Sequence, residues 1–154
     1  MMTAMVEPGE LYRRHADELV RYATALVGPD DAADVVVDAV MASLQSPGWS
    51  DVRNQRAYLY RAVLHRAASM RRSDARRAAR ELRVAVPASV PPAGSSVDAQ
   101  RALAGLSHQQ RAVVFLTYWD DQTPAQIAAL LGVGEGTVRK QLARAREQLR
   151  RTLQ

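Results

Sequence analysis

Cysteine is absent from the 154 residues, which excludes disulfides and any cysteine-ligated zinc. Aromatic residues are scarce, at 5%. No apolar run approaches the ~20 residues that cross a bilayer, and the N-terminus lacks the basic start and hydrophobic stretch of a secretory signal. The expectation is a soluble cytoplasmic protein with no membrane attachment. Strand-like alternation of apolar and polar residues is missing, as is any glycine loop that would cradle a phosphate. His15, His65 and His108 have no histidine one helical turn away and no nucleophile pattern nearby. Asp30, Asp31 and Asp34 read as complements of a helix dipole rather than as metal ligands. Neither an enzyme, a cofactor nor a metal site is expected.

What is present is charge, unevenly spread. The net charge is +5. Residues 1–52 hold three basic and nine acidic side chains, whereas residues 53–83 hold ten basic and two acidic. Residues 84–138 return to two basic and four acidic, and residues 139–154 hold six basic and one acidic. Two separate basic blocks predict two contacts with nucleic acid, one in each half. The acidic N-terminal block would repel a phosphate backbone and is expected to face a protein.

Residues 122–151 carry the sharpest motif, QTPAQIAALLGVGEGTVRKQLARAREQLRR. Thr123 suits a helix N-cap, with Pro124 at the first helical position. Ile127, Ala128 and Leu131 share a face. Gly132 stands where helices end in a left-handed residue, and Val133 supplies the apolar contact of the turn. In the next helix Val138, Leu142, Ala145 and Leu149 step by four, three and four, a buried stripe. Lys140, Arg144 and Arg151 occupy another face, with Arg139 and Arg146 beside them. This is a helix-turn-helix whose second helix is built for the major groove of DNA.

The rest of the chain is also expected to be helical. Leu11, Leu19, Tyr22 and Leu26 mark a first amphipathic helix ending at Gly28-Pro29. A second helix follows the Asp30-Asp31 pair and stops before Pro47-Gly48. A third begins near Gln55 and buries Ala57, Leu59, Ala62, Val63 and Ala67. Residues 84–98 contain three of the seven prolines and no basic residue. They read as a linker of at most roughly 50 Å reach. Helices resume near Asp98, and Ser107 caps the next. The predicted fold class is all-α: a helical domain over 8–83, a Pro-rich linker over 84–98, and a helix-turn-helix domain over 99–154.

The order of these parts resembles a known family. The acidic helix, the run GWSDVRNQRAYLYR, the arginine block, the proline linker and the segment LSHQQRAVVFLTYWDDQTPAQIAALLGVGEGTVRKQLARAREQLRR are similar to bacterial RNA polymerase sigma factors of the extracytoplasmic-function (ECF) type. These belong to the sigma-70 superfamily and keep only regions 2 and 4. The resemblance implies a transcription initiation factor that binds core RNA polymerase and directs it to promoter DNA. In region 2, the acidic helix would dock on the clamp helices of the polymerase's largest subunit, through Asp30, Asp31, Asp34, Val37, Asp38 and Met41. The loop and helix after it would melt and hold the −10 element. Trp49, Arg53, Asn54, Tyr58, Arg61 and His65 are placed there, with Arg66, Arg71 and Arg72 for phosphates. Trp49 and Tyr58 are equally candidates for core packing, and Arg76, Arg77 and Arg80 for a solvated helix end.

In region 4, Arg139, Lys140 and Arg144 would contact the −35 duplex, with Thr137 and Gln141 secondary and Arg111 on phosphate. The flap of the second-largest polymerase subunit and an anti-sigma factor are further partners that the family implies. The two promoter elements lie about one and a half duplex turns apart, on the order of 50 Å, a span that the linker and two small domains can cover. The sequence departs from the family's usual residues at Val37, Val40, His65, Ser69 and Gly134. Two other readings of the same motifs are a helix-turn-helix regulator acting without polymerase and a sigma-like adaptor that does not melt DNA.

Overall fold

A computed structural model describes residues 8–81 and 97–152, with side chains described up to residue 70 and again from residue 101. Among these residues every regular element is helical. In chain order they are α1 (Pro8–Val27), α2 (Ala32–Gln45), a single 3-10 turn (Trp49–Asp51), α3 (Gln55–Glu81), α4 (Val97–Ala104), α5 (His108–Tyr118), α6 (Pro124–Leu131) and α7 (Glu135–Thr152). The all-α expectation holds. Most of the predicted linker lies outside the described residues, and α4 begins one residue before the linker's expected end. No described helix is long and apolar enough to cross a membrane.

The helix boundaries follow local chemistry. Gly28, at φ 90°, turns the chain after α1 in a conformation that costs a residue with a Cβ about 1–2 kcal/mol. The Asn54 side-chain oxygen accepts from the Ala57 amide and caps α3. Ser107 and Gln110 form a reciprocal capping box at the start of α5, and Thr123 and Gln126 repeat it at α6. Each box satisfies two backbone donors that a helix start otherwise leaves open.

Burial follows the predicted stripes. Leu11, Leu19, Tyr22 and Leu26 of α1 are buried, as are Ala57, Leu59, Val63 and Ala67 of α3. Val138, Leu142 and Ala145 of α7 are buried and Leu149 packs partly against them. Ala62 is only half-buried. Tyr60, which the α3 pattern does not single out, is fully buried.

The helices α1, α2 and α3 pack on one another, and α5, α6 and α7 do the same. The two groups also meet. Helix α1 lies against α5, and α3 lies against α5 and α6. Tyr22 sits at this junction, its ring 4.6 Å from Tyr60 and 6.0 Å from Phe115. The buried residues of both groups accordingly join in one apolar cluster.

Burial keeps both of these phenols neutral. It pushes Tyr60 up to about 12, with the nearby Glu18 carboxylate adding to the shift, and raises Tyr22 further. Exposed tyrosines of the unfolded chain ionise near ~10. The stabilisation from keeping these protons is therefore complete below pH 10 and lost as the pH climbs toward 12. Melting temperature is expected to be insensitive to the two phenols up to about pH 9.5 and to fall steeply above 10. The Tyr22 hydroxyl has no hydrogen-bond partner among the described residues. Tyr22→Phe is therefore expected to leave neutral-pH stability within ~0.5 kcal/mol or raise it, and to soften the alkaline fall. Calorimetry across this pH range checks both expectations; a loss above ~1.5 kcal/mol at pH 7 would show a hidden partner for the hydroxyl.

Candidate nucleic-acid interface

The turn between α6 and α7 has the predicted geometry. Gly132 takes φ 71°, ψ 34°, and its amide donates to the Ala128 carbonyl. The Val133 amide donates to the same carbonyl. Ile127, Ala128, Leu130 and Leu131 are buried beneath the turn. Gly134 precedes α7, and its carbonyl accepts from Val138. This brace fixes α7 with Val138 inward and Thr137, Arg139, Lys140 and Arg144 exposed. Gln141 is half-buried, its amide nitrogen 3.3 Å from Gln109.

The basic side chains of α7 are held differently. Arg139 is paired with Glu135 at 2.6 Å, one turn back, and Arg151 with Glu147 at 2.7 Å. Exposed pairs of this kind contribute about 0.3–0.5 kcal/mol, so a phosphate can displace the carboxylate. Arg146 donates to the Tyr118 hydroxyl at 2.7 Å. Lys140 and Arg144 are exposed and have no ion-pair partner among the described residues.

The second cluster of candidates lies between α2 and α3. An open groove of about 420 Å³ is lined by Asp38, Ser46, Tyr58, Arg61, His65 and Arg66, among others. Four side chains expected to hold the −10 strand thus share one wall. Tyr58 donates to the Ser46 hydroxyl at 2.9 Å, and its ring meets Trp49 edge-on at 5.3 Å. Both aromatics are half-buried, so they combine core packing with access to the surface. His65 is exposed, and Arg66 grips one Asp38 oxygen through two nitrogens at 3.0 and 3.2 Å. Arg53 is exposed at the loop, whereas the Asn54 oxygen is engaged in capping α3. Arg71 and Arg72 fall among the residues whose side chains lie outside the description, as do Arg76, Arg77 and Arg80.

Along α2, Asp34, Val37, Asp38 and Met41 stand at helical spacing and are all exposed, with Asp38 also on the groove wall. Val37 and Met41 are each 43% exposed, unusual for apolar side chains in a chain with a well-buried core. Asp31 stands at the N-cap of this helix and Asp30 is exposed just before it.

Two arginines depart from their expected placement. Arg111 is not on the surface: it is 5% exposed, donating to the Leu26 carbonyl at 2.7 Å and the Ala104 carbonyl at 2.9 Å. Its guanidinium is spent on backbone inside the protein, out of reach of a phosphate in this arrangement. Arg61 remains at the groove but donates to the Ala129 and Leu130 carbonyls of α6 at 2.9 and 3.2 Å. Sequence reasoning also passed over Tyr118 and Trp119, exposed by 50% and 61% at the end of α5. Two consecutive aromatics just before the Asp120-Asp121 turn were the available signal. Trp119 stacks on Phe115 with ring planes 11° apart, and the Arg146 guanidinium lies 5.8 Å from the Tyr118 ring centre.

A braced helix-turn-helix with an open basic face, on an all-helical body that carries a second arginine-lined groove, has the form of a DNA-binding protein. Residues 96–149 match the family model for sigma-70, region 4. The chain is 36% identical to the ECF RNA polymerase sigma factor SigL of Mycobacterium tuberculosis, a match covering 94% of this chain and 87% of the relative. It is 33% identical to the RNA polymerase sigma-E factor of Streptomyces avermitilis, over 97% of this chain and 87% of that protein. The chain belongs to the ECF RNA polymerase sigma factors. Its fold is shared with the sigma factor RpoE of Bartonella quintana, solved in complex with the anti-sigma factor NepR. That match has a TM-score of 0.68 at 24% identity over 94% of this chain and 95% of that one. CnrH, solved in complex with the cytosolic domain of CnrY, matches with a TM-score of 0.63 at 25% identity, over 95% and 86% of the two chains.

The contrast between Arg111 and Arg144 is directly testable. Arg111→Ala leaves two backbone carbonyls without their donor and is expected to cost about 2–4 kcal/mol, with little change in the salt dependence of DNA binding by the folded fraction. Arg144→Ala is expected to leave stability within ~0.5 kcal/mol. It should lower the slope of log K against log salt by about one contact. Denaturant melts and salt titrations of duplex binding separate the two; a stability loss at Arg144 would place that side chain in the fold.

Proposed function

We propose that this protein directs core RNA polymerase to two-part promoters. In this reading α1 to α3 and α4 to α7 act as separate domains joined by the segment 84–98. The first melts and holds the −10 element, and the second reads the −35 element as duplex. Membership of the ECF sigma factors carries the reading, and the two separate basic surfaces support it from within the chain.

Each step rests on ordinary chemistry. The exposed Lys140 and Arg144, with Arg139 freed from Glu135, enter the major groove and its flanking phosphates. Thr137 and Gln141 stand beside them. Downstream, Trp49 and Tyr58 offer ring faces at which an unstacked base can lodge. Arg53, His65 and Arg66, with Arg71 and Arg72 further along α3, neutralise the separated strand. The exposed Asp34, Val37, Asp38 and Met41 stripe combines apolar area with negative charge. That combination suits a basic, partly apolar partner such as the clamp helices of the largest polymerase subunit, and the flap of the second-largest subunit would engage the C-terminal domain. The work is binding rather than catalysis, and it takes place in the cytoplasm, where polymerase and chromosome are. Because RpoE and CnrH were solved with anti-sigma partners, an anti-sigma factor is a fitting regulator here too.

Run-off transcription with purified core polymerase over a promoter panel tests the reading. Initiation from defined start sites is expected only when both proteins are present. Arg144→Ala is expected to lower upstream-element discrimination by roughly 1–3 kcal/mol, about five- to 150-fold, with core binding retained. A chain that binds duplex DNA yet neither binds core nor supports initiation would overturn the reading in favour of a polymerase-independent regulator.

A further inference from the structure

Helix α5 packs on α7, and beside that contact stands a polar link. Gln141 of α7 donates from Nε2 to the Oε1 atom of Gln109 in α5, at 3.3 Å. Both residues are half-buried. Gln109 is the second residue of α5, next to the Gln110 that closes the capping box with Ser107. The box fixes the first turn of α5, so the Gln109 side chain leaves from a firmly held backbone. Gln141 lies between exposed Thr137, four residues back, and exposed Arg144, three residues on. That spacing puts the three on one face of α7, with Gln141 at the edge that borders α5.

A glutamine amide carries an acceptor at one corner and two donors at the other. Unheld, it can turn over and present either corner first, so its partner decides which way it faces. Gln109 removes that freedom by accepting, which keeps the Gln141 nitrogen on the α5 side. The Gln141 amide is left with its oxygen and one N–H for an outside partner. One acceptor with one donor matches the N6 and N7 edge of adenine. Guanine offers two acceptors there, O6 and N7, and would leave the Gln141 oxygen facing another acceptor.

We propose that Gln109 is a positioning residue that fixes the amide of Gln141 so that α7 selects adenine at one position of the upstream element. The inference rests on the reading of α7 as a duplex-reading helix. Gln109 lies 32 positions before Gln141, outside the helix-turn-helix itself. Part of the base preference of α7 is therefore set from α5.

Selection from a randomised duplex pool reads that preference, with the full-length chain alone and bound to core polymerase. The parent chain is expected to enrich adenine over guanine at one upstream position by roughly five- to 150-fold, the span of one bidentate base contact. Gln141→Met should abolish the enrichment. Gln109→Met, which keeps the side-chain length but has no amide, should cut the adenine-to-guanine ratio at least about three-fold. Gln109→Glu can only accept, so it holds the Gln141 nitrogen as before. Its ratio should stay within about two-fold of the parent's, while the added carboxylate lowers affinity for every sequence. Circular dichroism checks that each variant stays folded. A Gln109→Met ratio equal to the parent's, with or without a uniform loss of affinity, would reduce the link to a structural one and overturn the proposal. So would a preference for any base other than adenine at the position that depends on Gln141, or loss of the preference in Gln109→Glu. Run-off activity separates the two readings. A chain that selects adenine through Gln141 but never initiates sinks the promoter reading alone. A chain that initiates with no base preference dependent on Gln141 sinks this inference alone.

Discussion

An all-helical protein must find donors for the carbonyls at the end of every helix. Here much of the tertiary arrangement depends on how two of those ends are met. The ends of α1 and α6 receive arginines from the opposite helical group. The contact between the groups is otherwise an apolar one, with Tyr22 between Tyr60 and Phe115. Apolar contact alone is non-directional. The paired guanidinium bonds favour one register at the junction, because the fork donates best to carbonyls at one spacing and orientation. Arg111 is the deeper of the two and acts as part of the core, whereas Arg61 remains exposed at the groove. The same residue type therefore serves structure at one end and stands at the edge of function at the other.

Charge is organised around the same division. The acidic excess lies at and just before α2, α1 being balanced with three residues of each sign, and the basic excess lies on α3 and α7. On α2 and α3 the two signs meet, where Arg66 holds Asp38 beside the groove. That exposed pair stands where the stripe of α2 meets the groove wall. On α7 the acids Glu135 and Glu147 each stand one turn from an arginine and hold it in place. Lys140 and Arg144, lying between those pairs, are exposed and have no ion-pair partner among the described residues.

Local and periodic features were legible in the sequence. Thr123, Pro124 and Gly132 foretold the α6 boundaries because caps and left-handed turns depend on the residue type at one position. The stripes of α1, α3 and α7 followed from spacing. The order of the parts, read as a resemblance, led to the family that the comparisons then bore out. What the sequence withheld was tertiary. Arg111 looked like one more cation near DNA, and nothing local reveals that the Leu26 carbonyl, 85 positions earlier, accepts its hydrogen bond. Arg61, expected at the −10 strand, lines the groove, but its engagement with α6 depends on how the two groups meet. Tyr60 was missed because it lies beside the stripe of Ala57, Leu59, Ala62, Val63 and Ala67, on the side where α3 meets Tyr22 of α1. Tyr118 and Trp119 were passed over because exposure is a property of the assembled surface.

The central claim is that one small chain grips a promoter at two points and opens the downstream one. Permanganate probing of unpaired thymines tests this most directly, on a promoter fragment selected by run-off transcription. The account predicts reactive thymines confined to the −10 region, seen only when the chain and core polymerase are both present. Those thymines should be lost when the upstream element is scrambled. Reactivity with core polymerase alone, or protection of the upstream element with the downstream duplex fully paired, would contradict it.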